Sequence, residues 1–60
     1  MAAKFEYFAD KAGKFRFRLK AANGQIIATS EAYESKSSCM SGIESVKANA
    51  ASAEVVETKA

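Results

Sequence analysis

The sequence predicts an α+β fold, in which a meander of three antiparallel strands is followed by one helix and a short C-terminal strand. Three patterns indicate this order: strict alternation of apolar and basic residues over 15–21, an Asn23-Gly24 dipeptide directly after it, and apolar residues at helical spacing from Cys39 onward. The chain has 60 residues. Because chains of this length usually hold one domain, we expect a single domain over residues 1–60. The core of such a domain stabilises it by only about 3–5 kcal/mol.

The first two strands are predicted over residues 4–10 and 15–21. Aromatic side chains, which suit a pleated surface, are concentrated in the first. A short connection containing Gly13 leads to the second, where apolar and basic side chains occupy opposite faces. The basic residues of this region, which we treat as a possible ligand face, are Lys14, Arg16, Arg18 and Lys20.

The third strand is predicted over residues 25–31 as the return strand of a hairpin. Asn23-Gly24 favours a two-residue type I′ turn, since both residue types tolerate a positive φ. Counting outward from that turn places Ile26 on the apolar face. The same register pairs Arg16 with Glu31 on the basic face, at a gain of about 0.2–1 kcal/mol.

The helix is predicted over residues 36–49, with Ser35 as its N-cap. Its apolar stripe comprises Cys39, Ile43, Val46 and Ala50. Gly42 lies inside the helix at a cost of about 1 kcal/mol relative to alanine. A glycine beside a packing stripe indicates close approach of another element. We expect most of the core to come from Phe5, Tyr7, Phe15, Phe17, Leu19, Ile26, Ile43 and Val46.

The C-terminal strand is predicted over residues 53–58, where Val55 and Val56 favour extended structure. It is short, and it follows a unit that already has three strands and a covering helix. Such a strand needs a sheet edge to pair with. The residues leave open whether that edge belongs to the same chain or to a second copy.

The segment from Gly13 to Glu31, followed in order by Tyr33, Ser35-Lys36 and residues 42–50, resembles the YegP-like family, a small bacterial domain of unknown function. The resemblance covers roughly residues 5–50. It implies a unit of three strands, helix and strand that occurs as a tandem repeat or as two subunits. The two units form one continuous sheet and exchange their C-terminal strands.

This chain contains one unit without an internal repeat, so the resemblance implies a homodimer. Val55 and Val56 would then contact the partner copy. No activity, substrate or catalytic residue comes with the family. A second copy would also stabilise a core that is small by itself.

The sequence contains few residues of the types that catalyse reactions or bind metal ions. The chain has no histidine and one cysteine, which excludes a classical zinc site and leaves Cys39 without a neighbouring histidine base. We therefore interpret Cys39 as a packing residue. The carboxylates are scattered and suggest no shared cleft. We expect no cofactor and no enzymatic activity.

The predicted function is that of a small dimeric binding or structural module. One alternative is weak binding of single-stranded nucleic acid through the basic strand face, beside an aromatic such as Phe8 or Tyr33; a net charge of +2 does not by itself predict it. A second alternative is a small-molecule or catalytic site at the dimer interface. No apolar run approaches the roughly 20 residues of a membrane span. A lone thiol and the absence of a signal-like start predict a cytoplasmic location and no membrane partner.

Overall fold

The computed structural model describes residues 2–59, with three strands and one helix in the predicted order. The strands are β1 (Lys4–Ala9), β2 (Phe15–Lys20) and β3 (Ile26–Thr29), and the helix α1 spans Lys36–Asn49. They form an antiparallel sheet in the order β1-β2-β3. β2 is therefore central, and β1 and β3 are the edges. The α+β meander is as predicted, although each strand is shorter than expected.

The turn between β1 and β2 is organised by Asp10. Its Oδ1 accepts hydrogen bonds from the backbone N–H groups of Ala12 and Lys14, each at 3.0 Å. The N–H of Gly13 donates to the carbonyl of Asp10, and Gly13 takes a φ of +79°. A positive φ at the end of a three-residue loop suits glycine. This turn sets a regular register between β1 and β2 over six residue pairs.

The β2–β3 turn differs from the predicted type I′ turn. Among the described residues only glycines have a positive φ, so Gly24 (φ +87°) adopts this conformation and Asn23 does not. The Gly24 N–H donates to Ala21 O, and the Ala21 N–H donates to Gln25 O. These bonds define a three-residue loop. Asn23 Oδ1 accepts from the Gln25 N–H at 3.0 Å, which stabilises this alternative.

A bulge in β3 corrects the shift that the longer loop introduces. Lys20 lies opposite Ile26, but the next pair is Leu19 with Ala28, so Ile27 has no counterpart. Beyond the bulge the register is the predicted one. Ile26 therefore shares the face of Lys20, away from the helix, and is 47% exposed. The prediction that Ile26 belongs to the core is wrong.

The core lies between β2 and α1. Phe17, Cys39 and Ile43 are buried, and Cys39 is fully so, in agreement with its interpretation as a packing residue. The partly buried residues packed around them are Phe5, Phe15, Tyr33 and Val46. Tyr7 is 45% exposed, so its assignment to the core is wrong. The helix covers the centre of the sheet and leaves the outer part of β1 open.

The close approach predicted at Gly42 involves the aromatic rings of Tyr33 and Phe17. The two rings stack with centroids 6.1 Å apart. A Cβ built on Gly42 would lie 2.5 Å from the Tyr33 hydroxyl oxygen and 3.1 Å from Phe17 Cε2. Backbone bonds between Phe15 and Tyr33 hold Tyr33 in place. The absence of a side chain at Gly42 thus lets the helix approach the sheet.

Replacing Gly42 with alanine should destabilise the protein. The gain in helix propensity is about 1 kcal/mol, and displacement of a stacked aromatic should cost more, since overpacking typically costs about 1–3 kcal/mol. Thermal denaturation of G42A measures the difference. The matched control is S41A, at an exposed neighbouring position of the same helix. Adding Tyr33→Phe removes the closest atom and should recover part of the loss; a G42A protein more stable than the parent would contradict this packing.

The start of α1 is as predicted. Ser35 has extended backbone geometry, and its hydroxyl accepts a hydrogen bond from the Ser38 N–H at 3.1 Å. The strand predicted over residues 53–58 does not form within this single chain, and its pairing with a second copy stays a prediction. Residues 53–59 belong to no strand in this single chain, and Val55 and Val56 are 98% and 62% exposed. Two adjacent valines are thus exposed to water, and the sheet of the described residues has two edges without a further strand partner.

Candidate functional site

The predicted ligand face lies on the side of the sheet away from the helix. Alternation along β2 places Arg16, Arg18 and Lys20 there. The β1 register adds Phe8 opposite Arg16, Glu6 opposite Arg18 and Lys4 opposite Lys20. The structure therefore places Arg16, Arg18 and Lys20 on one face, together with a carboxylate and an aromatic ring from β1.

Glu6 is the centre of this charged face. Its carboxylate accepts a hydrogen bond from Arg18 Nε at 2.9 Å and lies 3.3 Å from Lys4 Nζ and 3.4 Å from Lys20 Nζ. The Arg18 guanidinium is the main cause that lowers the pKa of Glu6 from 4.5 to about 2, and both lysines add to it. Glu6 therefore stays ionised far below neutral pH.

Removing the Glu6 carboxylate should reduce the acid sensitivity of the fold. A carboxyl whose pKa is lower in the folded than in the unfolded state stabilises the fold above its unfolded value, 4.5, and this stabilisation is lost as the pH falls towards about 2. Thermal melts of Glu6→Gln and the parent across that interval should converge at the acid end. Glu57→Gln, at an exposed position of the C-terminal segment, is the control. An equal difference between parent and variant at every pH would contradict this role.

The other basic residues of the face are also paired. Arg16 Nε donates to Asp10 Oδ2 at 2.9 Å, and Lys14 forms an ion pair with Glu34. The predicted Arg16–Glu31 pair is therefore replaced by a pair with Asp10. The bonds that Asp10 also makes to the β1–β2 turn aim its second carboxylate oxygen at Arg16.

These contacts leave the face poorly prepared for stacking nucleobases. The Arg18 guanidinium lies over the Phe8 ring, 5.1 Å from its centroid, and a base that stacks on this face of the ring would have to displace it. Tyr33, the other aromatic considered, lies on the opposite side of the sheet against Phe17. The assignment of Lys14, Arg16, Arg18 and Lys20 as a ligand face stays a prediction.

The described residues supply few groups for catalysis or metal binding. Cys39 is fully buried in the core, where a solvent-borne reagent does not reach it. Within residues 2–59, no group of three cysteines or carboxylates is placed to hold a metal ion. Nor does this part of the chain contain a helix with the length and apolarity that crossing a bilayer requires.

A second exposed surface lies along the edge strand β1, on the helix side of the sheet. Tyr7 is half exposed there, with Lys36 Nζ 5.4 Å from its ring centroid. Met40, one helical turn after Lys36, is also exposed. The backbone of β1 has a strand partner on one side only. This surface, which we call the β1 edge, offers hydrogen-bonding groups and apolar side chains together.

The sequence interpretation left Lys4 out of the candidate face and assigned Tyr7 to the core. The ion pairs that Glu6 and Lys4 make become visible only when the β1–β2 register is known, because the register places them opposite Arg18 and Lys20. The length of the loop between Asp10 and Lys14 fixes this register, so assigning a three-residue loop from the sequence would have predicted it. Tyr7 lies on the same face of β1 as Phe5, which is typical of a core residue. Nothing in the sequence indicates that the helix does not cover it.

Comparison with known proteins identifies the family. The family described as "Domain of unknown function (DUF1508)" matches residues 10–57. A UPF0339 protein of Treponema denticola is 67% identical over 57 residues, which cover 95% of this chain and 98% of that relative. A UPF0339 protein in the ptx operon 5′ region of Stutzerimonas stutzeri is 62% identical over 50 residues, 83% of this chain but 45% of that relative.

The solved structures include a close match to the fold. The NMR solution structure of a protein from Haloferax volcanii has a TM-score of 0.86 and 50% sequence identity, covering 95% of this chain and 97% of that chain. Relatives thus include archaeal proteins, and the family is wider than the bacterial one the resemblance implied. These matches agree with the three strands and helix of residues 2–59, and the chain belongs to the DUF1508 (UPF0339, YegP-like) family, whose function is unknown.

Proposed function

We propose that this protein is a non-catalytic binding or structural module that acts as a homodimer, in which residues 53–58 of each copy pair with the sheet of the other. The observation that carries the proposal is the exposure of Val55 and Val56 in a segment that forms no strand in one chain. Adjacent β-branched residues favour extended structure, which is stable only when its backbone groups are paired.

The β1 edge is the better acceptor for the exchanged segment. β3 has four residues and a bulge at Ile27, and bulges protect edges against further pairing. β1 has six residues in regular register, which equals the length expected for the segment. A strand added at β1 would place a valine side chain against the exposed ring of Tyr7.

The size of the core supports the same proposal. Three buried hydrophobic residues among residues 2–59 make a small core, and chains of this size commonly need a further source of stability. The Stutzerimonas stutzeri relative is more than twice as long as its matched segment, so it has room for a second unit in one chain. Pairing of two copies would give this chain the additional buried surface that a second unit would give a longer chain. The cytoplasmic location expected from the sequence belongs to this proposal.

Isotope-filtered NMR tests the contact directly. A sample mixed from ¹³C-labelled and unlabelled copies reports contacts between different molecules only. The proposal predicts intermolecular signals between the methyl groups of Val55 or Val56 and the Tyr7 ring. Intermolecular signals to Ile27 instead would move the acceptor edge to β3, and the absence of any intermolecular signal from Val55 or Val56 would contradict the exchange.

A further inference from the structure

The side of the sheet near the β2–β3 turn contains an open pocket of about 410 Å³. It is lined by Ala2, Lys4, Lys20 and the turn residues 21–24. Lys4 and Lys20 lie directly opposite each other on β1 and β2, so each of these two strands contributes one basic side chain to the pocket lining. The remaining lining side chains are small apart from Asn23, and they leave room for a ligand between the lysines and the turn.

The charges around this pocket do not cancel. The two lining lysines belong to an ion-pair cluster in which Lys4, Lys20 and Arg18 surround one carboxylate, Glu6. Arg18 and Glu6 do not line the pocket, and the cluster as a whole has an excess of two positive charges. Arg18 makes the shortest contact with that carboxylate, at 2.9 Å, and the two lysines form ion pairs with it at 3.3 and 3.4 Å. An ammonium group has three donors. Each lysine therefore keeps donors for an additional acceptor while its contact with Glu6 persists.

The β2–β3 turn contributes backbone donors to the same place. The Gly24 N–H closes the turn on Ala21 O, and the Gln25 N–H binds the Asn23 side chain. The N–H groups of Ala22 and Asn23, at the two central positions of the turn, make no hydrogen bond within it. Consecutive free amides beside cationic side chains form the kind of concave surface that binds anions.

We propose that this pocket binds a small phosphate-type dianion, such as the terminal phosphate of a phosphomonoester, between Lys4, Lys20 and the turn at residues 22–24. A dianion matches the excess of two charges better than a monoanionic carboxylate does. The volume lies at the lower end of the range for small-molecule sites, about 300–1,000 Å³, which fits a small phosphorylated compound. The proposal does not depend on the dimer, since all the groups belong to one chain.

Titration of the ¹⁵N-labelled protein with inorganic phosphate tests the site at constant ionic strength, with chloride as the balancing anion. Saturable shifts of the Ala22 and Asn23 amide signals are expected, with a dissociation constant in the millimolar range. Lys4→Gln and Lys20→Gln should each weaken binding about tenfold, as expected for loss of a charge-assisted hydrogen bond. The control is Lys47→Gln, on α1 beside Glu44 and outside the pocket, which should bind like the parent.

Three further arms identify the ligand class. A sugar phosphate should bind at least as well as inorganic phosphate, and acetate should bind much more weakly. Equal binding of acetate would overturn the phosphate assignment. A single-stranded oligonucleotide without terminal phosphates should not compete; if it binds more tightly than phosphate and the loss falls on Arg16→Gln, the basic strand face is the site and the proposal is wrong. The proposal would also be wrong if chloride alone shifted the Ala22 and Asn23 amide signals as phosphate does, or if Lys47→Gln weakened phosphate binding as much as Lys4→Gln and Lys20→Gln.

Discussion

Replacing Phe17 with alanine is expected to leave most of the protein unfolded at low micromolar concentration. Phe17 is buried at the centre of β2, with the Phe5 ring edge-on at 5.9 Å and the Tyr33 ring stacked at 6.1 Å. Truncating a buried phenylalanine costs about 3–5 kcal/mol, which equals the whole stability expected of a core this small, about 3–5 kcal/mol.

Circular dichroism and thermal melting of F17A measure this loss. The matched control is Phe8→Ala, which removes the same side chain from the other face of the sheet, where Phe8 is partly exposed beneath Arg18. That variant should lose much less: the cation–π contact, about 0.5–1 kcal/mol, and the burial of a ring that is already 39% exposed. An F17A protein that melts like F8A would show that the principal core lies elsewhere.

Proline at Val55 or Val56 is expected to weaken association of two copies although neither residue is buried in the single chain. Proline removes a backbone N–H, and consecutive N–H groups of a strand point to opposite sides. At least one of the two variants should therefore lose a ladder hydrogen bond to the partner. The dimer dissociation constant should rise about tenfold in that variant, and its melting temperature should fall with dilution more steeply than that of the parent.

The control for the proline variants is Lys59→Pro, which lies beyond the segment expected to pair. It should associate and melt like the parent. In a chain whose C-terminal segment stays in water, proline at either valine would have no effect on stability. V55P and V56P proteins that both match K59P in mass and melting temperature would therefore exclude the exchange.

The elements of this fold were predictable because their signals are local. Alternation along β2 assigns each side chain to a face, and the hydroxyl of Ser35 begins the helix at the expected residue. Gly42 was predictable for a related reason: a glycine inside an apolar helical stripe indicates a close neighbour, although only the structure identifies Tyr33 and Phe17 as that neighbour.

The details that the sequence did not predict are of two kinds. Some depend on alternative local conformations of similar free energy, and others on contacts between residues far apart in the sequence. Asn23-Gly24 is compatible with a two-residue and a three-residue loop, and a hydrogen bond to the Asn23 side chain accompanies the longer one. No residue type at Ile27 signals the bulge that compensates for the longer loop. The sequence therefore did not predict that Ile26 is exposed. The ion pairs of Glu6 follow from the β1–β2 register, which the alternation within one strand does not contain.

The native mass in solution tests the central claim most directly. Light scattering over a wide range of protein concentration should give a mass near twice 6.4 kDa, with dissociation only at high dilution and accompanied by loss of structure. A folded, stable species of 6.4 kDa at every concentration would contradict the proposed dimer and the exchange of residues 53–58.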